Sequence, residues 1–236
     1  MCPTSALQQK LYQGLLSSKH IKRAVEGRGG GGTEHLRCIG ALKKLCNHPA
    51  LLFAAAESEN ADDDGAAKPA SLFSALHELY PAGYNTDRIN VAESGKLVVL
   101  MQLLSTLHAA GSSPGGSGAA RERIVVVSHS TQCLDVIEAV CTERGFQQVR
   151  LQGSTPTEKR VAMVDRYNAP ASDSFLMLLS SKAGGVGLNI VGASRLVLYD
   201  IVRAAWCDTV RVWCSQSGMQ GAVLHTMLCM LLLLCF

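Results

Sequence analysis

From Arg123 onward the sequence alternates short apolar runs with amphipathic segments, and this alternation restricts the possible folds more than any other feature. The apolar, strand-like runs are residues 124–127, 149–151, 175–179 and 196–199. Residues 131–144 and 157–167, which connect the first three runs, have helical spacing. Buried strands joined by helices are typical of parallel βαβ units with right-handed crossovers. The sequence therefore predicts an α/β fold with a parallel sheet and flanking helices.

The first half of the chain has helical patterning. Apolar residues recur at helical spacing over residues 7–19 and 36–45, and the glycine run at 27–32 separates them, which predicts a helical hairpin. Ser94 is a suitable N-cap for a further helix. One face of that helix would carry five apolar residues: Leu97, Leu100, Met101, Leu104 and Leu107. The sequence thus predicts a helical N-terminal extension ahead of the sheet.

Two stretches of biased composition indicate insertions or linkers. Residues 54–70 are rich in Ala, Asp and Gly without periodicity, and residues 111–119 are rich in Gly and Ser; both predict mobile surface segments. The predicted organisation has four parts. They are a helical lead-in over 1–53, a variable linker over 54–93, an α/β lobe over 94–200 and a divergent apolar tail over 201–236.

Composition limits the partners and the compartment. The formal net charge of +3 and the pI near 8.4 permit contact with phosphates but are lower than expected for a dedicated nucleic-acid-binding module. The nine cysteines form no CxxC pair, and no secretion signal is apparent, so a nuclear or cytosolic protein is predicted. The apolar run at 227–236 would form a helix of only about 15 Å against a hydrocarbon core of about 30 Å. No membrane partner is therefore predicted.

Polar residues follow the predicted strands at their carboxyl ends, where open parallel sheets bind ligands. Ser128, Gly153 and residues 180–187 fall there. The turn SSKAGGVGLN at 180–189 combines hydroxyls, a lysine and glycines that let backbone N–H groups approach an anion, which suits phosphate. The alternative is a glycine-rich turn needed only for tight packing. Ile190 stands where a dinucleotide-binding fingerprint has its third glycine, which argues against that motif.

Two further patterns favour a structural interpretation. The string SGK at 94–96 looks like the end of a phosphate loop, but Asn90 replaces the earlier glycine and Leu97 follows the lysine, so it predicts a helix start. A metal site would need a fourth ligand at suitable spacing, which the sequence does not offer. The three candidate metal ligands are Cys38, Cys46 and His48. No metal site is predicted.

Several strings occur in a characteristic order along the chain. They are LKKLCNHPALL, LYPAGY, SGKL, IVVVSHSTQCLD, VRLQGSTPTEKR, RYNAP and SSKAGGVGLNIVGASRLVLYD. The last four together resemble the second lobe of the switch/sucrose-non-fermenting family of helicase-like ATPases. The first three narrow the resemblance to the recombination-repair DNA translocases of the Rad-fifty-four type. The resemblance extends over residues 7–200, and by it the CNHP string at 46–49 is a structural helix-ending segment.

The resemblance implies a RecA-like lobe that closes on a first motor lobe around ATP and Mg²⁺ and moves along double-stranded DNA in the nucleus. It further implies a strand-exchange recombinase as a partner in homologous recombination. The residues implied to contact DNA are Ser128, Gly153, Ser154, Thr155, Ser180, Ser181 and Lys182. Those implied to lie near the nucleotide are Gly185, Gly187 and Asn189. Gln152 replaces the usual aspartate of the family, which raises a question about hydrogen bonding there.

Two elements that the family needs for hydrolysis do not occur in this sequence. No GxxxxGK(S/T) phosphate loop is found, and no QAxxRxxRxGQ motif follows Asp200, since Arg203 and Arg211 lack its spacing. No catalytic residue is therefore assigned, and the chain alone is expected neither to bind ATP and Mg²⁺ stably nor to hydrolyse ATP. The loss of resemblance after Asp200 is consistent with a splice variant, a retained intron, a frameshift or a gene-model error.

Two other functions remain open from the sequence. The chain could be a non-catalytic module that binds DNA or another protein, for which salt-sensitive duplex binding without ATPase activity would be the sign. A different nucleotide-binding α/β enzyme would require the ordered strings to be coincidental. The motor lobe is the leading hypothesis.

Overall fold

The computed structural model describes residues 2–25, 32–61, 74–111, 122–184 and 188–200. The described residues divide into two compact units, one formed by those between 3 and 98 and the other by those between 99 and 200 together with Cys2. The first unit is helical, and the second contains the sheet. The predicted apolar tail at 201–236 and the predicted Gly/Ser linker from 112 onward lie outside the described residues.

The helical unit confirms the predicted helices at its N-terminus. Its elements are α1 Ala6–Ser17, α2 Lys19–Val25, α3 Gly32–Asn47, α4 Pro49–Ala61, α5 Ser74–His77 and a 3-10 turn at Val91–Glu93. A capping box of Ser5 and Gln8 starts α1. Leu11, Leu15 and Leu45 are buried in the core of this unit. Burial of these side chains is what the helical spacing predicted.

Helix α4 differs from the prediction for residues 54–70. It continues to Ala61, although this stretch was expected to be a surface insertion without helical structure. The physical reason is composition, because residues 54–56 are all alanine, the strongest helix former, and no glycine occurs before Gly65. Pro49 occupies the first helical position, where its missing N–H is not needed. Residues 62–70 lie outside the described residues.

The CNHP segment at 46–49 ends one helix and starts the next, as expected. His48 accepts a hydrogen bond at Nδ1 from the Ala50 N–H (3.1 Å), and its Nε2 lies 3.1 Å from the Asn90 carbonyl oxygen. The Ser94 hydroxyl donates to the Asn47 carbonyl at 2.6 Å. Among the described residues no cluster of His, Cys, Asp and Glu side chains could hold a metal ion. His48 is buried, and both of its ring nitrogens contact backbone groups.

This geometry predicts a stability loss at mildly acidic pH. Burial lowers the pKa of His48 below its ordinary value of 6.5, although the hydrogen bond to Asn90 and the charge of Glu93 oppose this. The unfolded chain therefore takes up a proton before the folded chain does, so stability is full above pH 6.5 and falls as the pH drops below it. We expect urea unfolding midpoints to fall between pH 7 and 5, and to fall less in His48→Gln. Equal pH dependence in both proteins would contradict this assignment.

The α/β unit has a four-stranded, fully parallel sheet in the order β2-β3-β1-β4. Its elements, with the helix that precedes them, are α6 Gly95–Gly111, β1 Ile124–Ser128, α7 Thr131–Glu143, β2 Gln148–Leu151, α8 Thr157–Asn168, β3 Leu176–Ser180, α9 Ser181–Gly184 and β4 Arg195–Leu198. The two central strands are buried at every position. Each predicted strand and helix of this unit is confirmed to within one residue at either end, and only the short α9 was not predicted.

Helix α6 begins as predicted, because the Ser94 hydroxyl accepts a hydrogen bond from the Leu97 N–H at 3.3 Å. Four of its five predicted apolar-face residues are buried, and Leu107 is half-buried. Helix α8 packs on the sheet through Tyr167, which is fully buried and donates from its hydroxyl to the Ile124 carbonyl at 3.1 Å. In the described part of the chain no helix is long and apolar enough to cross a membrane.

Candidate functional site

The carboxyl ends of the four strands define one edge of the sheet, which we call the carboxyl edge. Ser128 ends β1 and Ser180 ends β3, and the two serines are paired in the register of the adjacent strands. Residues 152–155 follow β2, and Asp200 comes shortly after β4. The topology therefore brings Ser128, residues 152–155 and residues 180–184 to the same edge, where a ligand of an open parallel sheet binds.

The two strand-end serines are both buried. Ser128 is fully buried; its hydroxyl donates to the Ser130 carbonyl (3.0 Å) and accepts from the Ser130 N–H (3.1 Å). Ser180 is 2% exposed. Buried hydroxyls cannot reach a duplex without rearrangement, so the role of these two serines as DNA contacts stays a prediction. The more exposed residues beside these serines are better placed to contact DNA.

Those neighbours are Ser181, Lys182 and His129. Lys182 is exposed, and Ser181 is half-exposed, with its hydroxyl 3.0 Å from Nδ1 of the exposed His129 ring. The His129 backbone N–H donates to Oδ1 of Asp200 at 2.8 Å. Asp200 thus binds the backbone of His129 and not its ring, so these residues do not form the triad of an acyl-transfer enzyme. His129 was missed in the sequence, although its position directly after a strand end was a signal.

A turn at residues 153–155, which we call the 153–155 turn, lies beside Lys182. A Cβ atom placed on Gly153 would be 3.8 Å from the Cβ of Lys182, an ordinary van der Waals contact. The turn is closed by the Thr155 N–H, which donates to the Gln152 carbonyl at 3.0 Å, and Gly153 and Ser154 are exposed. Two sets of predicted DNA contacts, far apart in sequence, are therefore adjacent in space.

Arg160 lies beneath this turn and was not singled out in the sequence. Arg160 is only 9% exposed. Its Nε donates to the Thr155 carbonyl and its Nη2 donates to the Gly153 carbonyl, both at 2.6 Å. A buried guanidinium is stable only when its donors are satisfied. Helical periodicity indicated that α8 packs on the sheet, but it gave no sign of which carbonyls this side chain would reach.

Gln152 replaces the usual aspartate of the family, and the sequence left open how this position is hydrogen-bonded. In the structure the Gln152 side chain is bound to Arg150. Its Oε1 accepts from Nη2 of Arg150 at 3.3 Å. Arg150 also forms ion pairs with Asp135 (2.6 Å) and Glu138 on α7. Burial lowers the pKa of Arg150, but its hydrogen bonds to Glu138 and Asp135 outweigh burial and raise it. The amide oxygen therefore accepts from Arg150 as a carboxylate could, without adding a third negative charge.

The residues implied to lie near a nucleotide are only partly described. Gly185 and Gly187 lie outside the described residues, and Asn189 is exposed. The side chain of Asn168, at the end of α8, donates to the Asn189 carbonyl and accepts from the Gly192 N–H, both at 2.8 Å. The end of the glycine-rich connection is thus held by both polar atoms of one amide. Asn168 belongs to the RYNAP string, for which the sequence had suggested no task.

In chemical terms the carboxyl edge offers hydrogen-bond donors and positive charge. The donors are the exposed Lys182 ammonium, the half-exposed Ser181 hydroxyl and the hydroxyl of the exposed Ser154. Such a set suits phosphate oxygens and carries no base-specific geometry.

Comparison with known sequences agrees with this architecture. Residues 95–215 match the helicase conserved C-terminal domain. The DNA repair and recombination protein RAD54B of Gallus gallus is 45% identical over 201 residues, which cover 85% of this chain and 21% of that protein. RAD54B of Homo sapiens is 43% identical over 201 residues, with the same coverage of 85% and 21%. The chain spans about a fifth of the length of these curated relatives.

Comparison with solved structures shows the same fold. The C-terminal part of the Fun30 ATPase domain superposes with a TM-score of 0.59 at 22% identity, covering 93% of this chain and 79% of that one. The Sulfolobus solfataricus SWI2/SNF2 ATPase core in complex with dsDNA gives a TM-score of 0.50 at 19% identity, with 88% and 34% covered. The chain therefore belongs to the helicase conserved C-terminal domain family, with the fold of a SWI2/SNF2 second motor lobe and homologues of the Rad54 type.

Proposed function

We propose that the chain is the C-terminal motor lobe of an ATP-dependent double-stranded-DNA translocase that acts in homologous recombination and double-strand-break repair. The observation that carries this proposal is the adjacency of the 153–155 turn and Lys182 on one exposed edge. A motor that tracks any sequence needs contacts to phosphates and not to bases. Support comes from relatives that are named DNA repair and recombination proteins and from an ATPase core of the same fold that was solved in complex with dsDNA.

In the complete motor the second lobe would close on a first lobe that holds ATP and Mg²⁺. On this side of the cleft Asn189 and the glycines before it would face the nucleotide, and Asn168 would hold that segment in place. The sequence contains no GxxxxGK(S/T), so we further propose that this chain alone does not hydrolyse ATP.

The proposed location is the nucleus, and a strand-exchange recombinase is the proposed protein partner. The four-part organisation with boundaries near 53, 93 and 200 remains part of the proposal.

Duplex-DNA affinity measured against salt concentration tests the DNA-binding edge. If Lys182 contacts one phosphate, Lys182→Gln should weaken binding by about tenfold and reduce the slope of log K against log salt by about 1. Arg166→Gln is the matched control, because it also removes one exposed positive charge but lies near the end of α8, beside Gln147 and Ser174 at the opposite edge of the sheet. Equal effects of the two substitutions would refute a phosphate contact at Lys182.

ATP hydrolysis distinguishes the motor lobe from the second candidate, a non-catalytic DNA-binding module. The absence of a phosphate loop in the sequence favours that module for the chain in isolation. We expect no DNA-stimulated hydrolysis by the chain alone, because it lacks both the phosphate loop and the QAxxRxxRxGQ motif. Hydrolysis should appear only when a separately produced first motor lobe is added to a variant that carries this motif after Asp200. Duplex binding without hydrolysis in every condition would favour the module, and no duplex binding in any condition would exclude a DNA-binding function.

A further inference from the structure

The 153–155 turn presents an electrostatic difficulty for a phosphate-binding surface. Peptide carbonyl oxygens carry partial negative charge, and an uncompensated carbonyl next to a phosphate oxygen is repulsive. In this structure the carbonyls of Gly153 and Thr155, two of the three in the turn, are already bound. The donor to both is Arg160, at 2.6 Å in each case. The side chain therefore removes acceptor groups from the surface where a phosphate would approach.

Arg160 cannot serve as a phosphate ligand in this position. The residue is 9% exposed, whereas Gly153, Ser154 and Lys182 are exposed. Its backbone is fixed in the first turns of α8, where its N–H donates to the Pro156 carbonyl at 3.0 Å. A guanidinium is suited to this task, because its planar fork offers several donors at fixed angles to more than one acceptor.

We propose that Arg160 is a positioning residue for DNA binding, which shapes the 153–155 turn from beneath and compensates its carbonyl charge without touching the duplex. The inference rests on the proposed function, since it assumes that the carboxyl edge binds DNA. A Cβ placed on Gly153 would lie 3.8 Å from the Cβ of Lys182, so the turn is adjacent to Lys182 and a shift of the turn also changes the surface on which Lys182 lies. Loss of Arg160 should therefore weaken binding through its neighbours.

The slope of affinity against salt separates positioning from direct contact. Removing a phosphate ligand lowers the slope of log K against log salt by about 1, because one counterion fewer is released. Removing a buried positioning residue should lower the affinity at every salt concentration and leave the slope unchanged. We expect Arg160→Gln to weaken duplex binding by about tenfold with a wild-type slope, while Lys182→Gln reduces the slope. Arg160→Lys should weaken binding less than Arg160→Gln, because an ammonium can still donate to one of the carbonyls.

The experiment uses the whole chain and a fluorescent 20-base-pair duplex, with near-ultraviolet circular dichroism of each variant to confirm an intact fold. A reduced slope in Arg160→Gln would identify a direct phosphate contact and overturn the proposal. Wild-type affinity in a folded Arg160→Gln would show that the turn does not need the guanidinium, which also overturns it. Should Arg160→Gln not fold, the same comparison is made with Arg160→Lys. If wild-type protein does not bind the duplex, the proposed function fails, and this outcome is distinct from failure at Arg160 alone.

Discussion

Replacing Arg123 with methionine should lower the free energy of unfolding of the α/β unit by about 3 kcal/mol. Arg123 is 8% exposed and donates to three carbonyls at the end of α8, those of Tyr167, Ala169 (2.9 Å) and Pro170 (3.1 Å). The last carbonyls of a helix have no partner within the helix, so an external donor satisfies them. Hydrogen bonds to a charged donor contribute about 1.5–3 kcal/mol each and are not additive, which sets the expected loss.

The measurement is urea unfolding followed by circular dichroism, with Arg144→Met as the matched control. Arg144 is exposed and donates from Nη1 to the Ser105 hydroxyl at 3.1 Å, so its loss should cost less than about 1 kcal/mol. Methionine retains much of the aliphatic length of arginine, and the comparison therefore isolates the lost donors. Similar midpoints for the two variants would show that Arg123 does not secure the end of α8.

Gly192→Ala should lower the free energy of unfolding by about 2 kcal/mol through overpacking. A Cβ at this position would lie 2.9 Å from Cα and 3.0 Å from Oδ1 of Asn168, and 3.1 Å from Nη1 of Arg123. The first of these atoms belongs to the backbone and cannot rotate away. The added methyl group would also displace the Asn168 amide, which accepts from the Gly192 N–H at 2.8 Å. Local hydrogen exchange at the Gly192 amide should therefore accelerate along with the loss of stability.

Gly40→Ala provides a control with the opposite expected sign. Gly40 lies inside α3, and a Cβ there would meet no atom within 4 Å. Alanine is favoured over glycine in a helix interior by about 1 kcal/mol, so this variant should unfold at a higher urea concentration than wild type. A loss of stability in Gly40→Ala, or none in Gly192→Ala, would contradict the packing described for these two positions.

The secondary structure of the α/β unit could be predicted from the sequence because local patterns determine it. Strand β1 and helix α8, for example, follow from a β-branched apolar run and from helical spacing between Thr157 and Tyr167. The extension of helix α4 to Ala61 was not predicted, because a run of alanines shows no periodicity even though its helix propensity is high. The carboxyl edge was predicted as the location of the site for a topological reason that needs no side-chain detail.

The partners of individual side chains could not be predicted in this way. The role of Ser128 as a DNA contact stays a prediction, and the sequence could not show that its hydroxyl is hydrogen-bonded to Ser130 within its own turn. The contact between His129 and Ser181 depends on β1 and β3 being neighbours in the sheet, which the order of strands along the chain does not reveal. The two carbonyls bound by Arg160 depend on the rotamer of a long side chain. These features arise from tertiary packing, and they are the ones on which the candidate site depends.

The strand order β2-β3-β1-β4 also has a consequence for synthesis of the chain. Strand β1 pairs only with β3 and β4, and β2 pairs with β3 among the described strands. When β1, α7 and β2 have been synthesised, β1 and β2 still lack the strands with which they pair. The apolar side chains of both strands therefore remain exposed in the nascent chain. The sheet can begin to assemble only when Ser180 has left the exit tunnel, and such non-local pairing folds slowly. Chaperone binding to the nascent chain is therefore expected to be strongest between the emergence of Ile124 and that of Ser180.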